Sequence, residues 1–227
     1  MSEQPPPLQY STSMEELKES MLRGEQSAGV NYYQHGQQVA DQFTRLLDLL
    51  KHHSATKKIP HDNPRKRWVL PQWIVNHQQF IFDALSPHAE IYKVYHVWHD
   101  CGKPLVKQWD NTTAAAVHYP DHALISSNAW LAAGGDAHVA VLIENDMVPH
   151  HIRSVEEVKQ LARDDANFLV LMVTAVCALH VCSPSAVEGE ACSLDLTSTS
   201  GFKIKMKRLN YYGKVMMRVL MTKPQPV

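Results

Sequence analysis

The stretch Val94-Tyr-His-Val-Trp-His-Asp-Cys-Gly-Lys-Pro104 decides how the rest of the chain is read. An apolar, aromatic run at helical spacing leads into His99-Asp100, and Gly102 and Pro104 then stop it. Two adjacent side chains of different ligand type thus stand at a helix end. Histidine offers a neutral imidazole nitrogen and aspartate an anionic oxygen, a pair suited to Mn, Fe, Zn, Ni or Mg. An aspartate near the negative end of a helix dipole is unfavourable unless something positive holds it. The bland alternative is a packed histidine followed by a C-terminal helix residue. Other histidines along the chain must decide between them.

Fourteen histidines are present in 227 residues, and several fall in helix-like segments. His35 is the most informative of them. Stepping by four from it reaches Val39 and Phe43, so it shares the core-facing stripe of a helix expected over residues 30–51. His122 falls near the first turn of a helix expected from Pro120 to Trp130, and Asp146 at the end of one from Ala137. Further helices are expected over 13–23, 71–85, 89–100, 154–163 and 165–182. Ser13-Met-Glu-Glu16 and Ser154-Val-Glu-Glu157 are capping-box patterns that open two of them.

The chain therefore reads as mainly α. Residues 1–12 are expected to be a flexible, Pro-rich leader without a signal peptide, and residues 13–190 a helical domain. Within that domain, 52–67 is an exposed basic loop carrying Lys57, Lys58, Arg65, Lys66 and Arg67, and 103–117 is a further loop. From residue 191 the pattern changes. Phe202, Ile204 and Met206 alternate with Lys203, Lys205 and Lys207, and an apolar run over 215–221 follows a turn. That alternation predicts a C-terminal β-hairpin over 191–227, with lysines on one face and a plausible dimer edge.

A hydrophobic content of 44% supports a sizeable core, while a net charge of −1 argues against bulk nucleic-acid or membrane binding. The longest apolar run, 168–182, is shorter than the roughly 18–20 residues that span a bilayer. Four cysteines without a CxxC pair or a disulfide-framework spacing point to a reducing cytoplasm. Cys101 reads as a small buried filler. No P-loop, nucleophile elbow or Rossmann fingerprint is present.

Read together, His35, then His99-Asp-Cys-Gly-Lys-Pro104, then Tyr119-Pro-Asp-His122, then Asp146, resembles the HD-domain metal-dependent phosphohydrolases. The closest-looking motif is that of the HD domains of bacterial tRNA nucleotidyltransferases, where a His-Asp-x-Gly-Lys stretch precedes a Gly-His pair. The likeness covers about residues 32–182, with the basic 52–67 loop as an insertion. It implies an HD-like helical bundle binding a divalent metal (Mn, Co, Ni, Fe, Zn or Mg). His35, His99 and Asp100 would be ligands, with either Asp146 or His180 closing the set. It further implies that Asp100, Lys103 and His122 act on a phosphoester, most naturally of a nucleotide. Nucleotidase, nucleoside triphosphate hydrolase and cyclic phosphodiesterase activities all fit. The other expectation is a catalytically degenerate fold that binds a nucleotide or RNA.

Overall fold

The structure, a computed structural model, describes residues 10–27, 29–60, 67–106, 108–109, 117–119, 121–182 and 199–222. The expected leader up to residue 9, the loop positions Arg65 and Lys66, Pro120, and the start of the expected C-terminal extension lie outside these residues.

The chain is mainly helical, as its periodicity predicts. Helix α1 (Met14–Arg23) is capped by Ser13, whose hydroxyl accepts from the Glu16 amide at 3.3 Å. A small ribbon, β1 (Glu25–Ser27) and β2 (Val30–Asn31), leads into α2 (Tyr32–Lys51). Asn31 and Gln34 close a reciprocal capping box there, satisfying two amides that would otherwise be orphaned. The stripe Tyr32, His35, Val39, Phe43, Leu46, Leu47 and Leu50 is buried along α2, at the spacing of one helix face.

The basic loop contains a second ribbon, β3 (Lys58–Pro60) with β4 (Arg67–Val69). Helices α3 (Gln72–Asn76) and α4 (Gln78–Leu85) follow, broken at His77, and a 3-10 turn (Ser86–His88) holds Pro87. Helix α5 (Ala89–Trp98) then packs along α2. The stretch expected to be only a loop opens with a short helix, α6 (Lys103–Val106), and holds a third ribbon, β5 (Gln108–Trp109) with β6 (Val117–His118). Helices α7 (His122–Ala132) and α8 (Ala137–Glu144) pack together, followed by α9 (Val148–His151) and α10 (Val155–Asp164).

Helix α11 (Phe168–Cys182) is buried on nearly every side and packs against α2, α9 and α10. Its 15 residues give it a length of about 22 Å, short of the roughly 30 Å apolar thickness of a bilayer. Among the described residues, no helix is long and apolar enough to cross a membrane.

The C-terminal segment corrects the expected β-hairpin. Residues Thr199–Thr222 form a single helix, α12, packed on α3, α10 and α11. The buried or half-buried positions Phe202, Met206, Leu209, Gly213, Met216, Met217 and Leu220 follow a period near 3.6. Ile204, which alternation would place beside Met206, is instead 67% exposed. Tertiary packing against three helices overrides the short period-two signal. The strand edge on which a dimer contact was expected is therefore absent from this segment.

Two glycines let the site assemble. A Cβ on Gly36 would lie 2.2 Å from the Val97 carbonyl oxygen, so the absence of a side chain lets α2 and α5 touch backbone to backbone. Gly102 does the same between the turn after Asp100 and α7, where a Cβ would meet the Ser126 amide at 2.5 Å. Its own amide donates to the Ser126 hydroxyl at 2.9 Å.

Candidate metal centre

The first turns of α2, the end of α5 and the starts of α6 and α7 meet at one end of the bundle, around Asp100. Asp100 is 1% exposed, His35 4% and His99 4%. One ligand atom from each of these three lies within 4.8 Å of the others. His99 Nε2 is 3.2 Å from Asp100 Oδ2, and His35 Nε2 is 3.8 Å from the same oxygen. The Nδ1–H of His99 donates to the His96 carbonyl at 2.7 Å, which turns Nε2 towards the carboxylate. This carbonyl sits one turn upstream on α5, so the helix itself orients the ring.

Lys103 supplies the positive partner that an aspartate at a helix end requires. Its Nζ donates to Asp100 Oδ2 at 2.7 Å and to Gln26 Oε1 at 3.4 Å, and sits 5.2 Å from the centre of the Tyr119 ring. The Tyr119 hydroxyl accepts from Tyr32 at 2.9 Å. His122 approaches from α7, its Nε2 3.8 Å from Asp100 Oδ1 and its Nδ1–H donating to the Tyr119 carbonyl. A hollow of about 480 Å³ lined by Ser20, Arg23, Gly24, Glu25, Tyr32 and Pro104 abuts the cluster through Tyr32 and Pro104.

The electrostatics follow from burial and charge. Burial alone would raise the pKa of Asp100, but the charges of His99 and Lys103 reverse this and hold the carboxyl well below its usual range. Burial alone would lower that of His99, and the Asp100 charge instead lifts it to about 9. His35, whose larger influence is desolvation, is pushed down to about 3 and stays neutral. Burial also lowers His122. Burial would lower Lys103 as well, but Asp100 keeps it above its ordinary value. One imbalance remains. Asp100 Oδ1 is buried with no hydrogen-bond partner among the described residues. A buried carboxylate oxygen without a donor is costly, and a cation is the kind of partner that removes the cost.

The two candidates for the closing ligand part ways. Asp146 lies two residues beyond α8, half-buried, and accepts from the Tyr95 hydroxyl. It acts electrostatically on both His99 and His122, so it borders the site without joining the group of three. His180 is not brought to the cluster. Its Nε2–H donates to the Val69 carbonyl at 3.0 Å and its ring packs on Phe202 at 5.3 Å.

The residue that reaches the cluster from α11 is Cys182, whose Sγ is 3.9 Å from His35 Nε2. Cys182 is two positions past His180, about 200° further round the helix, so when one faces β4 and α12 the other faces α2. Cys101 is fully buried, its Sγ–H donating to the Ser126 carbonyl, as expected of a filler.

No known family, curated protein or solved structure matches this chain, so what the cluster does is argued from its own chemistry.

Proposed function

We propose that the chain is a divalent-metal-dependent phosphohydrolase of the HD type, acting on a phosphoester of a nucleotide. The observation that carries this reading is Asp100 Oδ1, buried without a hydrogen-bond partner among the described residues, on a carboxylate whose other oxygen has two imidazole Nε2 atoms beside it. Residues His35, His99 and Asp100 would hold the ion, with Asp146 at the rim. The donor set of two nitrogens and one oxygen suits Mn, Fe, Co, Ni or Zn, and tolerates Mg less well. A bound ion supplies a lowered pKa for an attacking water and polarises a phosphoryl oxygen.

The chain's own groups do the rest. Asp100 would help to hold the ion, and its Oδ1, which has no hydrogen-bond donor among the described residues, would be the oxygen placed to accept a proton from an attacking water. Lys103, held today on Oδ2, is close enough to trade that oxygen for a phosphoryl oxygen and offset its charge. His122, neutral at pH 7 because burial lowers its pKa, can donate a hydrogen bond to a second oxygen from Nε2 only in the tautomer protonated there. Its Nδ1 contact with the Tyr119 carbonyl favours the other tautomer, so His122 must take up a proton to donate from both. The hollow beside Tyr32 and Pro104 offers room for the remainder of the substrate, with Arg23 on its wall. Cys101, Cys177 and Cys182 are all thiols, which fits a reducing, cytoplasmic setting.

The test is turnover of nucleoside mono- and triphosphates and of 2′,3′-cyclic nucleotides by purified protein supplied with Mn, Co, Ni or Mg. Asp100→Ala abolishes turnover under this reading, and full turnover in that variant would refute it. A second reading has one observation in its favour. The Lys103 ammonium already neutralises Asp100 at 2.7 Å, as a degenerate site that binds nucleotide or RNA without metal would need. Retained nucleotide affinity in a protein that takes up no divalent metal would favour that module.

A further inference from the structure

Helix α12 concentrates positive charge in a chain that is close to neutral. Its 24 residues hold six basic side chains and no acidic one, a charge of +6. The whole chain carries −1, which leaves −7 for the remaining residues. Met206, Leu209, Gly213, Met216 and Met217 are buried on the side that packs against α3, α10 and α11. The opposite face is a stripe at alternating steps of three and four: Ile204, Lys207, Tyr211, Lys214, Arg218 and Met221. All of these are exposed, Tyr211 by 56% and Met221 by 53%. The stripe runs about 25 Å along the helix axis. On α5 and α10 a lysine pairs with an acid one turn away, Lys93 with Glu90 and Lys159 with Glu156. Lys207, Lys214 and Arg218 have no acidic partner among the described residues.

The pattern of the stripe separates the occupants that positive charge alone would allow. An anionic membrane takes up a helix whose apolar residues form a face apart from the basic ones. Here Lys207, Lys214 and Arg218 share one stripe with Ile204, Tyr211 and Met221, so sinking the apolar set would sink the charges with it. The α12 face of a second copy would set cation against cation. A polyanion that carries flat apolar rings meets both kinds of residue at once. Tyr211 stands four residues after Lys207 and three before Lys214, so a base stacked on its ring has an ammonium on either side for the flanking phosphates. We propose that the outer face of α12 is a docking surface for single-stranded nucleic acid, held through its phosphates and through stacking on Tyr211 without regard to sequence. The surface needs no metal and does not rest on the phosphohydrolase reading. A duplex fits it less well, because its bases are already stacked on one another.

Fluorescence anisotropy of a labelled oligouridylate of about 15 nucleotides, within the span of single-strand sites, tests the proposal. Chelator is present throughout, so the metal centre takes no part. The full-length protein should bind, with affinity falling with salt at a log–log slope of about −2, as for three neutralised phosphates. Lys207→Glu together with Lys214→Glu should weaken binding at low salt and flatten the slope to about −0.7. Tyr211→Ala should keep the slope and weaken binding by at least about fivefold, and Tyr211→Phe should restore it. Lys93→Glu, a control on α5, should change neither. The α12 side chains altered are all exposed, so those variants should melt with the parent. No saturable binding by the parent, or an unchanged slope in the double variant, would overturn the proposal. So would equal affinity for a duplex with oligoadenylate. Binding to mixed phosphatidylserine–phosphatidylcholine vesicles, or self-association that the double variant abolishes, without oligonucleotide binding, would overturn it in favour of those occupants.

Discussion

Replacing Gly36 with alanine tests whether the close approach of α2 and α5 is what assembles the centre. The added Cβ would lie 2.2 Å from the Val97 carbonyl oxygen and 2.9 Å from that of His96. Real Cβ atoms are essentially never closer than 3.0 Å to such atoms, so α2 must retreat by about 0.8 Å. Both obstacles are backbone atoms, which cannot rotate away as a flexible side chain could. Overpacking of this kind costs about 1–3 kcal/mol, at the upper end where backbone must move. Alanine in a helix interior recovers up to about 1 kcal/mol relative to glycine. The net loss is therefore about 1–2 kcal/mol, or a fall of about 2–8 °C in Tm for a chain of this size. The same retreat carries His35 Nε2 away from Asp100 Oδ2, now 3.8 Å off. Thermal melts and Co(II) titrations of Gly36→Ala should show lower Tm and weakened metal binding together. A variant as stable as the parent with unchanged metal affinity would refute the reasoning.

Three further outcomes are expected. First, metal uptake near pH 7.5 should release a proton from His99, whose pKa stands at about 9 in the metal-free protein, measurable by calorimetry in buffers of different ionisation enthalpy. The same raised pKa stabilises the metal-free fold fully below the ordinary value of 6.5, and its contribution is lost as pH rises through about 9, so Tm of metal-free protein should decline across that window. Uptake without proton release would exclude His99 as a ligand. Second, Met206→Asp should be strongly destabilising while Ile204→Asp changes little, because Met206 is buried and Ile204 is 67% exposed. A strand would place both on one face, so equal effects in a urea titration would contradict the α12 helix. Third, His180→Ala should lower stability by about 1–3 kcal/mol through the orphaned Val69 carbonyl and leave metal affinity unchanged.

The helical core was legible because its signals are long. The α2 stripe from Tyr32 to Leu50 repeats over five turns, and the apolar run before His99-Asp100 forms α5, which ends at Trp98. His35, His99, Asp100, Lys103 and His122 do come together, since each sits at a helix terminus or on a core face that sequence spacing can locate. What failed was judged from a short window. Three apolar residues, Phe202, Ile204 and Met206, alternate by chance with lysines, and only the longer series to Leu220 shows the helical period that packing selects. Which residue of α11 faces the cluster was not legible for another reason. Whether His180 or Cys182 points at α2 depends on the rotation of α11 about its axis, and that helix is apolar on every face, so no amphipathic stripe sets its phase in the sequence. Asp146 was placed near the site, but its bond to Tyr95 depends on the approach of α8 to α5.

Metal stoichiometry with thermal stability tests the central claim most directly. Metal-stripped protein should take up one Co(II) or Zn(II) per chain. At a free concentration one hundred times the dissociation constant, binding adds about 2.7 kcal/mol, a rise of about 5–10 °C in Tm. Chelator should reverse the gain, and Asp100→Ala should show neither uptake nor shift. A wild-type protein that binds no divalent ion, and melts at the same temperature with metal or chelator, would contradict the account.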